Sequence, residues 1–460
     1  MTRRPGWWAD LLKLLGLGAP RDETAPVIVE DRPEVEPTAS LRPWTFMVYM
    51  AGDNGRVFQT QGGKIQLMAE MTSAGYADLR EMGSVGTTER VAVTCMFDTP
   101  EGAYRIEVRK WNGFAQSEVE SLGALNSGEA AVLSSFITQS VRRYPAQHYA
   151  LILWNHGAGW LDTDAYASVR SLRRENQGHD PIFRSTVDTL ARGAATRPIA
   201  FDDSSKDFLD TRDLRQALAD ARRATGVHLD LIGMDACLMA MVEGARELAA
   251  FAEYFVASEE VEPMAGWAYG EIVARLDRSD PVSPKELALG LVTDYARSYQ
   301  GKTRFDNTVT LSAVDLTATK RTEQLCANLA AAILARGGSS QVRHAVLRAR
   351  DLSLVFQDRN YRDLGDFAER LSSEAQSLGA TSIQRSASAL ADHMRDRSAG
   401  SPVLQVAYRP SYARATGLSV YLPGYLPLKQ REETLKIYRP LAFADRTGWA
   451  RLVEWILEGA

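Results

Sequence analysis

Apolar runs that suit buried strands alternate with amphipathic runs that suit helices, and this alternation limits the fold more than any other feature of the chain. The strand candidates are residues 44–50, 90–97, 104–111, 148–154 and 228–234. The helix candidates that alternate with these strands are residues 128–143, 211–224 and 238–251. Such alternation is typical of a mostly parallel central sheet flanked by helices. The sequence therefore predicts an α/β fold in which reactive groups gather at the carboxyl ends of the strands.

Composition and pattern divide the chain into four parts. Residues 1–19 are an amphipathic N-terminal segment and residues 20–43 an acidic, proline-rich linker. Residues 44–315 carry the alternating pattern, and residues 316–460 form a helix-rich C-terminal part that completes the fold. Further helix candidates are residues 284–299, 317–336 and 361–396, and further strand candidates are residues 307–314, 403–408 and 417–422.

The N-terminal segment bears on location. Residues 6–17 place large apolar side chains on one helical face, which suits a helix that docks on its own protein, on a membrane surface or on a partner protein. Arg3 and Arg4 before an apolar stretch imitate an export signal, but Asp10 and Lys13 interrupt that stretch and no convincing cleavage site follows. The sequence predicts a cytoplasmic protein, with export as the alternative.

The charge and the metal-binding residue types exclude several classes of function. A net charge of -5 gives no basic surface of the kind that nucleic acid requires. The three cysteines, Cys95, Cys237 and Cys326, are too few and too scattered for a disulfide framework and lack the CxxC spacing of a zinc site. The six histidines form no HExxH or similar cluster. No metal site is predicted, and a metal-dependent hydrolase built on a histidine lacks its further ligands.

One cysteine stands at the end of a predicted strand. In the run 228–240 an apolar strand ends at Asp235 and is followed by Cys237, just before the helix candidate 238–251. A thiol at a helix N-terminus has a lowered pKa and is available as a nucleophilic thiolate. The alternative is a buried packing residue, which is the role expected of Cys95 in its strand and Cys326 in its alanine-rich helix.

A histidine stands at a matching place on another strand. The strand candidate 148–154 ends in Asn155, His156 and Gly157, where glycine leaves room for a substrate backbone. A histidine satisfied by its own loop is the alternative. Two parallel strands that each end in a residue of this type can present both across one cleft, so Cys237 and His156 are a candidate nucleophile and base.

Several motifs together resemble the clostripain-like cysteine peptidases, relatives of caspases, gingipains and metacaspases. The resemblance covers about residues 44–455. The motifs are WTFMVYMAGDN, LILWNHGAGW, FDDSSKDFLDTRDLRQAL, LDLIGMDACLMAMVE, ASEEVEPMAGWAYGEIV, YRDLGDFAERL and GLSVYLPGY. The resemblance implies a caspase-like sheet with a helix-rich C-terminal extension, and cleavage of peptide bonds after arginine or lysine. A catalytically silent, caspase-like scaffold is the alternative, but such a protein has no chemical need for either His156 or Cys237.

The resemblance also implies roles for individual residues. His156 is expected to act as general base and acid for Cys237, and the backbone N–H groups of Gly157 and Cys237 to stabilise the oxyanion. Asp235 is the expected acidic residue of the S1 pocket, with a cap on the helix 238–251 as its alternative.

Other acidic residues follow the next strand. Glu259, Glu260 and Glu262 lie near the expected cleft, and Glu259 and Glu260 are added to the S1 prediction, with a solvated acidic loop as the alternative. No cofactor is required for the chemistry. Calcium is an open question, because some relatives bind it but no EF-hand-like loop occurs here.

The stretch 161–198 is long, irregular and rich in arginine. Members of the family are often activated by cutting in this region, and an arginine-specific enzyme would cut its own exposed arginines. Autoprocessing near Arg173 or Arg174 is predicted, with an unprocessed flexible loop as the alternative.

Overall fold

The structure is a computed structural model of the chain. It describes residues 41–53, 57–61, 64–69, 71–110, 117–155, 209, 211–301, 309–398, 400–408 and 410–458. The predictions for residues 1–40, for His156 and Gly157, and for the arginine-rich stretch 161–198 with Arg173 and Arg174 lie outside the described residues.

A nine-stranded sheet forms the centre of the molecule. The strands of the described residues are β1 (Arg42–Ala51), β2 (Val57–Gln61), β3 (Lys64–Ala69), β4 (Val91–Thr99), β5 (Gly102–Glu107), β6 (Glu118–Gly123), β7 (Ala146–Trp154), β8 (Leu229–Asp235), β9 (Ala252–Ala257), β10 (Thr310–Asp315), β11 (Tyr361–Asp363), β12 (Val403–Tyr408) and β13 (Ser419–Tyr421). Strands β2 and β3 form a separate two-stranded sheet, as do β11 and β13, and the other nine form the central sheet. The order in the sheet is β12-β10-β9-β8-β7-β1-β4-β5-β6. Strands β9, β8, β7, β1 and β4 run parallel, and the strands at both edges are antiparallel.

Helices cover both faces of this sheet. They are α1 (Met71–Met82), α2 (Ala130–Arg143), α3 (Thr211–Thr225), α4 (Val242–Leu248), α5 (Tyr269–Leu276), α6 (Pro284–Ser298), α7 (Thr319–Leu334), α8 (Ser340–Leu352), α9 (Leu364–Ser377), α10 (Thr381–Arg395), α11 (Leu428–Tyr438), α12 (Ala442–Thr447) and α13 (Trp449–Glu458). Helices α1, α5 and α6 enclose one apolar core, and α2, α3, α4 and most helices after α6 enclose the other. The predicted fold class is confirmed.

Strand β1 illustrates why the chain folds in this way. Met47 and Tyr49 point into one core, whereas Phe46 and Val48 point into the other. A strand that is buried on both faces must be apolar at successive positions and not only at alternate ones. That requirement explains the unbroken apolar run that marks this strand in the sequence.

The chain changes direction across the sheet beside β1. From β1 it continues to β4 on one side, whereas β7, β8 and β9 follow one another on the other side. In open α/β sheets the crevice at such a switch point, beyond the carboxyl ends of the strands, is the usual place for a site. The register puts Trp154 of β7 between Met50 of β1 and Asp235 of β8 at this edge.

Two predicted elements differ from the observed ones. The helix expected at 238–251 begins only at Val242, and the helix expected at 361–396 is a short strand followed by α9 and α10. Gly379, with a positive φ of 63°, stands between those two helices and allows the turn. Strand β12 of the C-terminal part pairs with β10 at the edge of the main sheet. Among the described residues, no helix combines the length and apolar character needed to cross a bilayer.

Candidate active site

Cys237 lies in a turn and not at a helix N-terminus. This cysteine turn, residues 236–241, joins β8 to α4, and α4 begins five residues after the thiol. The N–H of Leu238 donates to the carbonyl of Glu260 at 3.2 Å, and the N–H of Ala240 donates to the carbonyl of Ser258 at 2.8 Å. Because Met241 is still in an extended conformation, no helix starts within this turn, and the predicted position of Cys237 at a helix N-terminus is wrong.

The backbone of the cysteine turn is also unusual. Leu238 has a φ of +63° and is the one non-glycine residue with positive φ among the residues that the structure describes. Left-handed conformations are costly for residues with a branched side chain, and such strain persists only where surrounding contacts hold it. The contacts to Ser258 and Glu260 provide that support.

The thiol is held against the loop that follows β9. Residues 258–262, which we call the acidic loop, run beside the cysteine turn. The N–H of Glu262 donates to Sγ of Cys237 at 3.2 Å, and Sγ lies 3.8 Å from the carbonyl oxygen of Glu262. An N–H group aimed at sulfur stabilises negative charge that forms on the sulfur.

The other two cysteines have the structural role that was expected. Cys95 in β4 and Cys326 in α7 have no exposed surface. Burial raises the pKa of both thiols. None of the three cysteines of the chain forms a disulfide. Cys95 and Cys326 therefore act as small apolar side chains.

Strand β7 brings the chain to the cysteine turn from the other side. Trp154, the last residue of β7, is paired with Asp235, the last residue of β8. The N–H of Asn155 donates to the carbonyl of Asp235 at 3.3 Å. His156 and Gly157 follow directly in the sequence and lie outside the described residues. The described residues thus bring the ends of the two predicted catalytic strands side by side.

Asp235 is a buried acceptor and not a helix cap. Its Oδ2 accepts a hydrogen bond from the hydroxyl of Tyr269 at 2.9 Å and one from the N–H of Trp267 at 3.2 Å. A Cβ atom at Gly266 would lie 2.9 Å from the same oxygen, so this position has no room for a side chain. The N-cap of α4 is Met241, which makes no capping hydrogen bond through its side chain. The capping alternative for Asp235 is wrong.

A second carboxyl group lies beside Asp235. Glu262 accepts a hydrogen bond from Nε1 of Trp267 at 3.0 Å, and its carboxyl group also hydrogen-bonds Asp235. Burial raises the pKa of Asp235 to about 6 and raises the pKa of Glu262 well above its usual range. Because two buried carboxyl groups in contact cannot both ionise freely, ionisation of one opposes ionisation of the other.

Two aromatic residues and a third acid around this pair escaped the sequence analysis. Trp267 and Tyr269 lie within the GWAY run of a motif that carries the family resemblance but indicates no role for either residue. Asp78 accepts from Nε1 of Trp154 at 2.7 Å, and burial, together with the charge of Asp235, raises its pKa to about 9. Asp78 follows no local pattern that would single it out, since it sits within an ordinary amphipathic helix.

Glu259 and Glu260 face away from Asp235. Glu259 has no exposed surface and accepts from the N–H of Gly417 at 3.1 Å, and burial raises its pKa well above the usual range. Glu260 accepts from the hydroxyl of Tyr412. Both carboxyl groups contact the C-terminal part of the chain, so the alternative of a solvated acidic loop is wrong. The structure brings Asp235 and Glu262 together and leaves Glu259 and Glu260 elsewhere.

Within the residues that the structure describes, no cluster of three or more His, Cys, Asp or Glu side chains is arranged to hold an ion. Calcium binding stays an open question.

Comparison with known proteins assigns the chain to one protein family. The model of the peptidase C11 family, described as the clostripain family, matches residues 67–183 and 185–421. A search of curated proteins found no match. Solved C11 proteases have similar folds, but at these low identities the likeness concerns the fold alone.

Three of the solved structures are similar over most of their length. A secreted C11 cysteine protease from Bacteroides thetaiotaomicron, bound to an irreversible peptide inhibitor, is 20% identical with a TM-score of 0.57, covering 89% of this chain and 99% of that one. An inactive zymogen C11 protease from Parabacteroides distasonis is 19% identical with a TM-score of 0.58 and the same coverage of both chains. A third, a secreted protease from B. thetaiotaomicron named iotapain, is 15% identical with a TM-score of 0.58, covering 89% and 100%. Two of these neighbours are described as secreted, and the comparisons give no support to the predicted cytoplasmic location.

Proposed function

Because this chain belongs to the clostripain family of cysteine proteases, we propose that it is an endopeptidase with Cys237 as nucleophile and His156 as general base. One observation carries this proposal. The last residues of β7 and β8, Trp154 and Asp235, are register partners, and His156 and Cys237 each follow their strand by two residues. Equal spacing from paired parallel strands favours side chains that meet over one cleft.

The proposed reaction follows from these groups. His156 accepts the proton of Cys237, and the thiolate attacks the carbonyl carbon of the scissile bond. The N–H groups of Gly157 and Cys237 stabilise the oxyanion of the tetrahedral intermediate. His156 then donates the proton to the leaving amine, and water hydrolyses the thioester to regenerate the thiol. The N–H of Glu262 supports this chemistry, since it donates to the sulfur and favours its charged form.

The proposed S1 pocket takes arginine or lysine through Asp235 and Glu262. Burial raises the pKa of Asp235 to about 6, so this carboxyl group is largely ionised at neutral pH. A buried carboxylate prefers a cationic partner, and a guanidinium can bind it with two charge-assisted hydrogen bonds. We do not extend the pocket to Glu259 and Glu260, because their carboxyl groups contact Gly417 and Tyr412.

A panel of fluorogenic peptides that differ only at the residue before the cleaved bond tests the proposed function. Peptides with arginine or lysine at this position are expected to have a kcat/KM at least about 100-fold above those with aspartate or leucine, because only a cation satisfies the buried acid. Covalent labelling of Cys237 by a peptide inhibitor of the preferred sequence, located by mass spectrometry, identifies the nucleophile. Preference for aspartate or leucine would refute the S1 assignment, and absence of hydrolysis for every peptide would refute the activity.

We also propose that the enzyme activates itself by cutting near Arg173 or Arg174. The zymogen form of a structurally similar C11 protease supports a maturation step. Intact-mass measurement after expression is expected to find two fragments for the wild type and one full-length chain for Cys237→Ala. The double variant Arg173→Ala and Arg174→Ala is expected to lose this cut while keeping Cys237. A wild-type chain that stays whole would end the proposal.

Location is the remaining part of the proposal. We propose that the protein is exported, with support from the secreted neighbours. A helix formed by residues 6–17 would then act as part of the export signal or as a docking element for a membrane surface or partner protein. Fractionation of cells that express the full chain tests export, and recovery of all the protein in the cytoplasm would contradict it.

A further inference from the structure

The acidic loop touches the cysteine turn through backbone atoms of Ser258, Glu260 and Glu262, and the last two act beside the thiol. The carbonyl of Glu260 accepts from the N–H of Leu238, directly after the thiol, at 3.2 Å. Two residues further on, the N–H of Glu262 donates to Sγ of Cys237 at 3.2 Å. A small displacement of this loop would therefore move both the strained Leu238 and the donor that faces the sulfur.

The side chain of Glu260 fixes this loop to the C-terminal part of the chain. Glu260 is 3% exposed. Its Oε1 accepts from the N–H of Val261 at 2.8 Å and from the N–H of Gln357 at 3.2 Å, and its Oε2 accepts from the hydroxyl of Tyr412 at 2.5 Å. The ring of Tyr412 stacks on Phe356, with centroids 5.8 Å apart. One buried carboxyl group thus joins the acidic loop to the segment that contains Gln357 and to the segment that contains Tyr412.

The backbone of Glu260 is held as firmly as its side chain. Its N–H lies within hydrogen-bonding distance of the hydroxyls of Ser258 and Thr310, at 3.2 and 3.1 Å. The hydroxyl of Ser258 in turn donates to the carbonyl of Glu260 at 2.8 Å. With both ends of the residue fixed, a change at the carboxyl group is transmitted to the backbone that contacts the cysteine turn.

We infer that Glu260 is a positioning residue, whose carboxyl group clamps the acidic loop to Gln357 and Tyr412 and so holds the N–H of Glu262 against the sulfur of Cys237. The inference rests on the proposed function of Cys237 as nucleophile. It gives Glu260 a role different from the S1 contact that the sequence suggested. It also explains how the C-terminal part, which contributes no predicted catalytic residue, supports the reaction.

The sharpest test removes one hydroxyl. Tyr412→Phe deletes the donor to Oε2 of Glu260 and keeps the ring that stacks on Phe356. We expect kcat to fall about 10-fold and KM to change less than about 2-fold. Misplacement of a reacting group slows the chemical step more than it weakens substrate binding. The rate of Cys237 alkylation by iodoacetamide, followed by peptide mass, is expected to fall by a similar factor.

The chain offers a matched control in Tyr438. Its hydroxyl donates at 2.8 Å to Glu243, which is 1% exposed and also accepts from the N–H of Tyr421 at 3.0 Å. Tyr438→Phe thus removes the same phenol donor from a glutamate of the same kind, outside the acidic loop. We expect it to lower the melting temperature by about as much as Tyr412→Phe while kcat stays within about 2-fold of the wild type.

A second pair of variants tests the carboxyl group itself. Glu260→Ala removes all three side-chain contacts, and kcat is expected to fall about 100-fold. Glu260→Gln keeps an acceptor and the shape of the side chain, and recovery of kcat to within about 5-fold of the wild type is expected. Recovery by glutamine also shows that Glu260 is not the charged partner of a basic substrate.

Three results would overturn the inference. The first is an unchanged kcat in Tyr412→Phe, and the second is an equal loss of kcat in Tyr412→Phe and Tyr438→Phe. The third is a rate of Cys237 alkylation that Tyr412→Phe leaves unchanged. The alkylation measurement needs no peptide substrate. If the wild type hydrolyses no peptide, the proposed function fails, and the alkylation rates still decide whether Glu260 positions the thiol.

Discussion

Cys237→Ala is expected to abolish peptide hydrolysis, with a loss in kcat/KM of at least about 10,000-fold, while the protein stays folded. Covalent catalysis requires the sulfur, and water bound in its place is a far weaker nucleophile. The side chain is small and 7% exposed, so its truncation is expected to cost only about 1 kcal/mol of unfolding free energy. Hydrolysis of the preferred peptide and the melting temperature of the same sample measure the two effects separately.

Cys326→Ala is the matched control for this variant. Cys326 is fully buried in α7, and burial raises the pKa of its thiol. Its truncation removes the same atom and is expected to cost a comparable amount of stability, yet kcat/KM should stay within about 2-fold of the wild type. Hydrolysis that survives in Cys237→Ala would assign the reaction to another group and remove the basis of the proposed mechanism.

The sequence predicted the sheet and the end of β8 at Asp235 correctly, for a clear physical reason. A strand such as β8, buried on both faces, is mostly apolar at successive positions, so its end is visible in the sequence where the apolar run gives way to small and polar residues. The rule that sites gather at carboxyl ends of parallel strands then directs attention to Asp235 and Cys237. The apolar pattern of β8 and the topology of the sheet therefore indicate the same residues.

The conformation of the cysteine turn was not predictable in this way. The residues after Asp235 have a composition that suits a helix, and propensity alone starts a helix at Leu238. The left-handed Leu238 and the extended Met241 interrupt a helical path, and the bonds from Leu238 and Ala240 to the acidic loop hold the turn in that conformation. Helix α4 begins only where those contacts end, at Val242.

The hydrogen-bond partners of the acidic residues could not be predicted from the sequence, because they lie far away along the chain. Glu260 contacts Gln357 and Tyr412, which are 97 and 152 positions away in the sequence. Asp235 contacts Trp267 and Tyr269, 32 and 34 positions away. A carboxyl group near a catalytic motif looks the same in sequence whether it faces a substrate or a buried amide. Only the fold distinguishes Asp235 from Glu260.

Asp235→Asn is expected to remove the preference for basic substrates. The variant keeps the shape of the side chain and an oxygen that can accept from Tyr269 and Trp267. It loses the charge, and the kcat/KM for an arginine peptide is expected to fall about 100-fold or more, since a buried cation would lack its counter-charge. For a peptide with citrulline, the neutral isostere of arginine, the change should stay within about 5-fold.

Stability should not explain such a loss. Burial raises the pKa of Asp235 in the folded protein to about 6, above its unfolded value, so the folded state prefers the protonated carboxyl group. The stability that this preference contributes is present at low pH and is lost as the pH rises through about 6. Asparagine stays neutral, and Asp235→Asn is therefore expected to be at least as stable as the wild type at pH 8. Glu259→Gln serves as a control for specificity, because its carboxyl group contacts Gly417.

The pH dependence of the substrate preference provides the most specific test of Asp235. The ratio of kcat/KM for the arginine peptide to that for the citrulline peptide cancels the titration of Cys237 and His156, which act on both substrates alike. In the wild type this ratio should rise as the pH increases through about 6, where Asp235 ionises. In Asp235→Asn it should be low and independent of pH. A ratio that rises equally in both proteins would assign the charge that selects arginine to a different residue, and Glu262 would then be the first to examine by Glu262→Gln.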